Sequence, residues 1–139
     1  ARPLVARAYA RFARAPGVAF LAGWLESKVG DCPAALRYLD ETIAVEPLHD
    51  QAWLERTICL TRLERDSAAI ESATHLIALG GPSRAQGFYW RAVNRHRRKE
   101  LPLARADADT AKTLTTAPTV LTIAGVIEHD QDDLAIAET

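Results

Sequence analysis

The sequence repeats a pattern of small residues at a spacing of about 34 positions, and this spacing constrains the fold more than any other feature. In each copy, a small residue in one apolar segment is followed 12 positions later by an alanine in the next segment. The four pairs are Gly23 and Ala35, Thr57 and Ala69, Ala92 and Ala104, and Gly125 and Ala137. An internal period of about 20 to 50 residues is typical of a repeat architecture, in which each unit buries its apolar face only against its neighbours.

Each unit has the pattern of two helices separated by a polar or glycine-containing turn. Alanines recur at three- and four-residue steps, and small residues on one helix face allow two helix axes to approach to about 8 to 10 Å. Proline or glycine follows the apolar runs at Pro47, at 80–82 and at Pro118, where it ends a helix. The pattern predicts no strand. It predicts helices at about 3–14, 18–29, 33–45, 50–63, 66–79, 84–98, 102–115, 119–130 and 133–139. The predicted capping residues at helix starts are Asp31, Asp50, Asp66, Ser83 and Asp133.

This unit resembles the tetratricopeptide repeat, which carries a tryptophan, a glycine and a tyrosine in its first helix, an alanine in its second and a closing proline. The matching residues are Trp53, Gly23, Gly125, Ala35, Ala69, Ala104, Ala137 and Pro47, with Gly30 and Asp31 at the turn. The sequence departs from the pattern at the tryptophan position with Ala19, Phe88 and Leu121, and at the tyrosine position with Glu26, Leu60, Arg95 and Glu128. The resemblance implies an all-α fold, a right-handed α-solenoid of antiparallel helix pairs.

We expect one such domain over residues 1–139. It would comprise a flanking helix at 1–15, repeats at about 16–49, 50–84 and 85–117, and an incomplete repeat at 118–139. The flanking stretch fits either the second helix of a preceding unit or a capping helix specific to this protein. The absence of methionine, and a helical pattern that stops inside "DDLAIAET", indicate a fragment of a longer protein. Arginine exceeds lysine by 14 to 3, which is typical of a GC-rich genome, and we expect a bacterial source.

The resemblance also implies a concave groove lined by the first helix of each unit. Four columns, counted from the small residue of that helix, should face it. Three of them are Phe20, Leu54 and Tyr89 three positions before, Trp24, Ile58 and Val93 one position after, and Lys28, Arg62 and Arg97 five positions after. The fourth lies four positions after and consists of Ser27, Thr61, His96 and His129. An apolar floor with a basic edge suits a protein or peptide segment that carries apolar and acidic side chains.

These features predict a protein–protein interaction module that binds a peptide or protein segment in its concave groove. The alternative is a structural scaffold segment of a larger enzyme or of a secretion or assembly protein, with the groove filled by its own chain. Chaperone-binding members of the family clamp a terminal carboxylate with lysine, asparagine and arginine. The corresponding positions here are Phe20, Trp24, Glu55 and Trp90, so the resemblance argues against chaperone tails as ligands. Self-association through the open ends of the stack is a further option.

Other functional classes find little support in the sequence. The formal charge is −1, and the single basic cluster, at 91–99, is not interleaved with aromatic residues, so nucleic acid is not the expected partner. No apolar run reaches the roughly 18 residues of a membrane-spanning helix, and membrane insertion is not expected. Cys32 and Cys59 fit buried, inert thiols. We expect no cofactor, no metal ligands and no catalytic residues, because histidines, carboxylates and nucleophiles lack the spacing that such sites require.

Overall fold

A computed structural model describes residues 6–7 and 17–115, and all regular structure in these ranges is helical. The helices are α1 (Val18–Lys28), α2 (Cys32–Val45), α3 (Asp50–Arg62), α4 (Asp66–Leu79), α5 (Arg84–Arg97) and α6 (Leu101–Leu114). Ala6 and Arg7 are also helical. The six helices predicted between 18 and 115 are confirmed, with ends that differ by at most one residue. The helices predicted at 119–130 and 133–139 lie outside the described residues.

The helices form three consecutive pairs, α1 with α2, α3 with α4 and α5 with α6, and each helix packs against the next one along the chain. The first helices also touch one another, α1 against α3 and α3 against α5. Among the described helices, the second members of the pairs make no such contacts with each other. A stack whose first helices lie closer together than its second helices must curve toward the first helices. The predicted all-α solenoid is therefore confirmed, with α1, α3 and α5 on its inner side.

Small residues occupy the crossing points within each pair. Ala35, Ala69 and Ala104 have no exposed surface. A Cβ atom added to Gly23 would lie 3.0 Å from Cδ2 of Leu39, so α1 and α2 approach too closely there for an ordinary side chain. The 12-residue spacing of the sequence thus reflects paired contact points on the two helices of a unit.

The turn inside each pair has the same hydrogen bonds in all three units. After α1, the N–H of Gly30 donates to the carbonyl of Ser27 at 3.2 Å, and the N–H of Asp31 donates to that of Glu26 at 2.9 Å. The turns after α3 and α5 repeat this pattern at 2.9 to 3.0 Å. The residue in the left-handed region is Gly30, with φ 91°, in the first turn, and then Glu64 at 58° and Lys99 at 65°. The conformation of these turns therefore repeats from unit to unit in the same way as the sequence pattern.

Helix starts follow the prediction only in part. Asp31 accepts a bond from the N–H of Ala34 at 3.1 Å, as expected for an N-cap. The predicted cap at Asp50 was wrong, because His49 Nδ1 accepts from the N–H of Ala52 and caps α3 instead. Asp50 uses its Oδ2 to accept from the N–H of Ser83, 3.2 Å away at the start of the next unit. The predicted cap at Asp66 was wrong as well, because Asp66 is already the first residue of α4. Ser83 occupies the N-cap position of α5 as predicted, but its side chain makes no capping hydrogen bond. The predicted cap at Asp133 lies outside the described residues.

Candidate functional site

The apolar residues that the sequence predicts to face the groove lie on the first helices α1, α3 and α5, of which α3 touches the other two. That their side chains line the groove stays a prediction. Phe20, Leu54, Ile58, Tyr89 and Val93 are half-buried, and Trp24 is 38% exposed. Residues that face only their own partner helix, such as Ala92, have no exposed surface. A continuous row of partly exposed apolar side chains therefore runs across three units.

Aromatic contacts hold several of these side chains in place. The Phe20 ring lies 4.6 Å from the imidazole of His49, which caps the first helix of the next unit. The Trp24 ring lies under Lys28 Nζ, 5.4 Å from the ring centroid. Tyr89 makes an edge contact with Trp90 at 4.9 Å, and burial raises the pKa of its hydroxyl. The floor of the groove is thus built from rings with defined orientations.

The basic edge has a structural task that the sequence did not indicate. Nη1 of Arg62 donates to the carbonyl of Ser27 at 3.1 Å, and Nη1 of Arg97 donates to the carbonyl of Thr61 at 3.2 Å. Both carbonyls belong to the last turn of the preceding first helix and also accept the turn N–H of Gly30 or Glu64. Each arginine therefore fastens its own helix to the C-terminus of the first helix one unit earlier.

The three cations of this edge differ in how far they are neutralised. Lys28 lies 3.8 Å from the buried carboxylate of Glu55, and Arg97 lies 3.1 Å from Asp66. Arg62 has no carboxylate partner among the described residues. A guanidinium has five N–H donors, and among the described residues Arg62 donates one hydrogen bond, to the Ser27 carbonyl. Arg62 is therefore the cation of this edge with the most capacity for an added ligand.

A layer of buried polar side chains joins the first helices behind the groove. Ser27 Oγ donates to Glu55 Oε2 at 3.3 Å, and Cys59 Sγ lies 3.6 Å from the same Ser27 hydroxyl. Asn94, with no exposed surface, donates to Thr61 Oγ1 at 2.9 Å in the next interface. The sequence pattern predicts that Ser27 and Thr61 face the groove, whereas the structure buries both and bonds them to polar side chains of the next unit.

The two cysteines lie inside the molecule, as predicted. Both are reduced and buried. Burial, together with the neighbouring Cys32 thiol, raises the pKa of Cys59 to about 12. A thiol is a weak nucleophile in its protonated form, and this environment does not favour reactivity.

The basic cluster at 91–99 is largely neutralised within the molecule. Arg91 binds both carboxylate oxygens of Asp107, at 2.7 and 2.9 Å, and Arg95 binds Oδ2 of the same carboxylate at 2.7 Å. Arg98 pairs with Glu100 at 2.9 Å. The arginines of the cluster therefore attach α5 to α6 and to the preceding unit.

Neither a metal site nor a membrane span is found in the described part of the chain. Residues 6–7 and 17–115 contain no group of three or more histidine, cysteine or carboxylate side chains that could hold a metal ion. In the same ranges, every helix is too short or too polar to cross a bilayer.

Comparisons with known proteins give matches only in structure. No protein-family model matches the sequence, and no curated protein matches it. The second TPR domain of the human RPAP3 protein, in complex with the HSP70 peptide SGPTIEEVD, matches with a TM-score of 0.73 and 20% identity, over 79% of this chain and 92% of that chain. The MamA RS-1 ArsTM double mutant matches with a TM-score of 0.81 and 16% identity, over 96% and 75% of the two chains. PcrH, in complex with the chaperone binding region of PopD, gives 0.71 and 12%, over 87% and 91%.

Proposed function

We propose, on the premise that this chain has the tetratricopeptide-repeat fold, that it is a protein-interaction module whose concave groove binds a peptide segment of another protein. Two solved structures with this fold hold such a segment. The human RPAP3 domain holds an HSP70 peptide, and PcrH holds the chaperone binding region of PopD. The activity we propose for the chain is therefore binding rather than catalysis.

The observation that carries the proposal is the row of partly exposed apolar side chains on the inner helices. It runs from Phe20 and Trp24 on α1, through Leu54 and Ile58 on α3, to Tyr89 on α5. Burying apolar surface contributes about 25 cal/mol for each Å² removed from water, so a ligand with apolar side chains gains affinity by covering this row. Rings held by His49, Lys28 and Trp90 lose little rotamer freedom on binding.

The charge beside this row sets the preference we propose for the ligand. Arg62 has unused guanidinium donors and no carboxylate partner among the described residues. Because guanidinium binds carboxylate through two parallel hydrogen bonds, the preferred ligand has an acidic residue next to its apolar ones. Nucleic acid is not the proposed partner, since the largest basic cluster is paired internally.

A chaperone tail is not the ligand that we propose. The buried Glu55 carboxylate lies behind the groove, where the resemblance would place a side chain of the terminal-carboxylate clamp. Its charge is only partly offset by Lys28, at 3.8 Å. A terminal carboxylate would be repelled there, so an internal peptide segment is the better fit.

Selection from a displayed random-peptide library, followed by fluorescence anisotropy of the selected peptides, tests this proposal. We expect peptides that combine large apolar residues with aspartate or glutamate. Trp24→Ala should remove apolar contact area, and Arg62→Glu should repel the ligand carboxylate, each weakening binding about tenfold or more. The matched control is Arg37→Glu, because this exposed arginine lies on the outer helix α2.

Three results would overturn parts of the proposal. Full affinity in both groove variants would show that the peptide binds elsewhere. Selection of basic rather than acidic peptides would contradict the role of Arg62. The third result is that no peptide is selected although circular dichroism shows that the chain is folded. This would favour the scaffold interpretation, in which the groove is filled by the protein's own chain.

A further inference from the structure

The turn between the first two described units has an unusual exposure of apolar side chains. Val45, the last residue of α2, is 82% exposed, and Leu48 in the turn is 80% exposed. Pro47 lies between them and is exposed as well. Val45 and Leu48 are the most exposed large apolar residues in the described part of the chain. Neighbouring exposed apolar side chains are a common mark of an interaction site.

This turn is joined to the outer side of the next unit through one tryptophan. Trp53 Nε1 donates to the carbonyl of Pro47 at 2.8 Å, and its ring stacks on His75 of α4, with 4.7 Å between ring centroids and 18° between planes. His75 and Ala78 line a shallow depression of about 460 Å³ on the outer face of α4. Val45, Pro47, Leu48, Trp53, His75 and Ala78 together form what we call the outer patch.

Two carboxylates border the outer patch. Glu46 is exposed beside Val45, and Glu71 lines the depression with His75. Neither carboxylate has an ion-pair partner among the described residues. Two cations also border the patch, and both are bonded to other carboxylates. Arg56 lies over the Trp53 ring, 5.6 Å from its centroid, and is bonded to Asp40 at 2.9 Å. Arg91 donates to Thr74, which lines the depression, and is bonded to Asp107. A ligand cation would therefore meet two unpaired carboxylates at this surface.

From this combination we infer that the outer patch is a second docking surface, and that its partner is a basic amphipathic polypeptide segment. Apolar side chains of the segment cover Val45 and Leu48, while its lysine or arginine side chains reach Glu46 and Glu71. The inner groove has the opposite charge preference because of Arg62. The two surfaces select different ligands, so one molecule can hold an acidic and a basic partner at once.

The probe for this surface is a labelled, amidated peptide of about 16 residues made of leucine and lysine, with the leucines at helical spacing. Its control is the same peptide with glutamate in place of lysine. Fluorescence anisotropy should show binding of the lysine peptide that weakens as salt rises, and no comparable binding of the glutamate peptide. Leu48→Gln removes apolar contact without adding charge, and Glu71→Lys reverses one carboxylate. We expect each variant to bind the lysine peptide about tenfold more weakly.

Two further variants separate this inference from the proposed function. Glu64→Lys makes the same charge change as Glu71→Lys at a distant turn, where the next unit already has Lys99, and should bind within about twofold of wild type. Arg62→Glu should lose the acidic ligand of the groove but keep the lysine peptide. The inference is overturned if Leu48→Gln and Glu71→Lys bind normally, if the glutamate peptide binds equally well, or if wild type binds neither peptide. None of these results bears on the groove, whose own ligand should bind the outer variants normally.

Discussion

Asp107 is the carboxylate that pairs with two of the arginines on α5. Its side chain is only 5% exposed and accepts three hydrogen bonds, two from Arg91 and one from Arg95. We expect Asp107→Asn to lower the free energy of unfolding by about 3 kcal/mol, because two largely buried guanidinium groups would lose their counter-charge. Urea unfolding followed by circular dichroism measures the change. Asp109→Asn is the matched control, since that carboxylate is half exposed and lies 4.0 Å from Arg105, and its effect should stay within about 0.5 kcal/mol. Equal effects of the two substitutions would contradict the role given to Asp107.

The sequence predicts which residues face the groove, but it could not predict how the basic edge is bonded. Positions at a fixed distance from Gly23, Thr57 or Ala92 lie on the same helix face in each unit, because the α-helix has a fixed period. The partners of Arg62 and Arg97 are backbone carbonyls 35 and 36 positions earlier. A backbone carbonyl has no side-chain identity for a pattern to detect. The sequence therefore indicated a basic edge, and only the structure reveals that two of its cations also fasten the units together.

The turns inside the helix pairs provide a prediction at the scale of elements. Glu64 and Lys99 have φ angles of 58° and 65°, in a region that costs an ordinary L-residue about 1 kcal/mol or more. Both side chains are exposed, and the first unit has Gly30 at the same place. Glu64→Gly and Lys99→Gly should each raise the free energy of unfolding by about 0.5 to 1 kcal/mol, while Gly30→Ala should lower it by a similar amount. Chemical denaturation measures all three, and a loss of stability in both glycine variants would contradict the equivalence of the turns.

Helix positions were predictable from the sequence because local signals agree with the packing. The small-residue pairs, the glycine turn at Gly30 and the stop at Pro47 all indicate the same boundaries. The caps were less predictable, because the choice depends on contacts between units. Asp50 was the natural candidate for a cap, but the start of the next unit recruits its carboxylate through Ser83, and His49 caps α3 instead. A single-unit pattern contains no information about such a long-range competition.

Across the whole molecule, the near-zero net charge includes the two proposed docking surfaces, which have opposite charge preferences. The inner side has Arg62 without a described carboxylate partner, and the outer patch has Glu46 and Glu71 without a described cation. Each described unit contacts only its neighbours along the chain, so the stability of the stack is divided among the interfaces between units.

Each described pair of helices contains one tryptophan, Trp24 on α1, Trp53 on α3 and Trp90 on α5. Single-tryptophan variants, with phenylalanine at the other two positions, can therefore report on the pairs separately.

Coupling between the first two units should depend on the bond from Arg62 to the Ser27 carbonyl, at 3.1 Å. With Arg62 intact, we expect the Trp24 and Trp90 reporters to unfold together in urea, because the interfaces transmit stability along the stack. Arg62→Met retains much of the apolar stem but removes a charge-assisted hydrogen bond, which contributes about 1 kcal/mol at a partly exposed site. The midpoint reported by Trp24 should fall by about 0.5 to 1 M urea and separate from that of Trp90. Arg105→Met, which removes an exposed cation from α6, should leave the two midpoints together. If Arg62→Met shifts both reporters equally, the stack unfolds as one cooperative body and this arginine is not what couples its first two units.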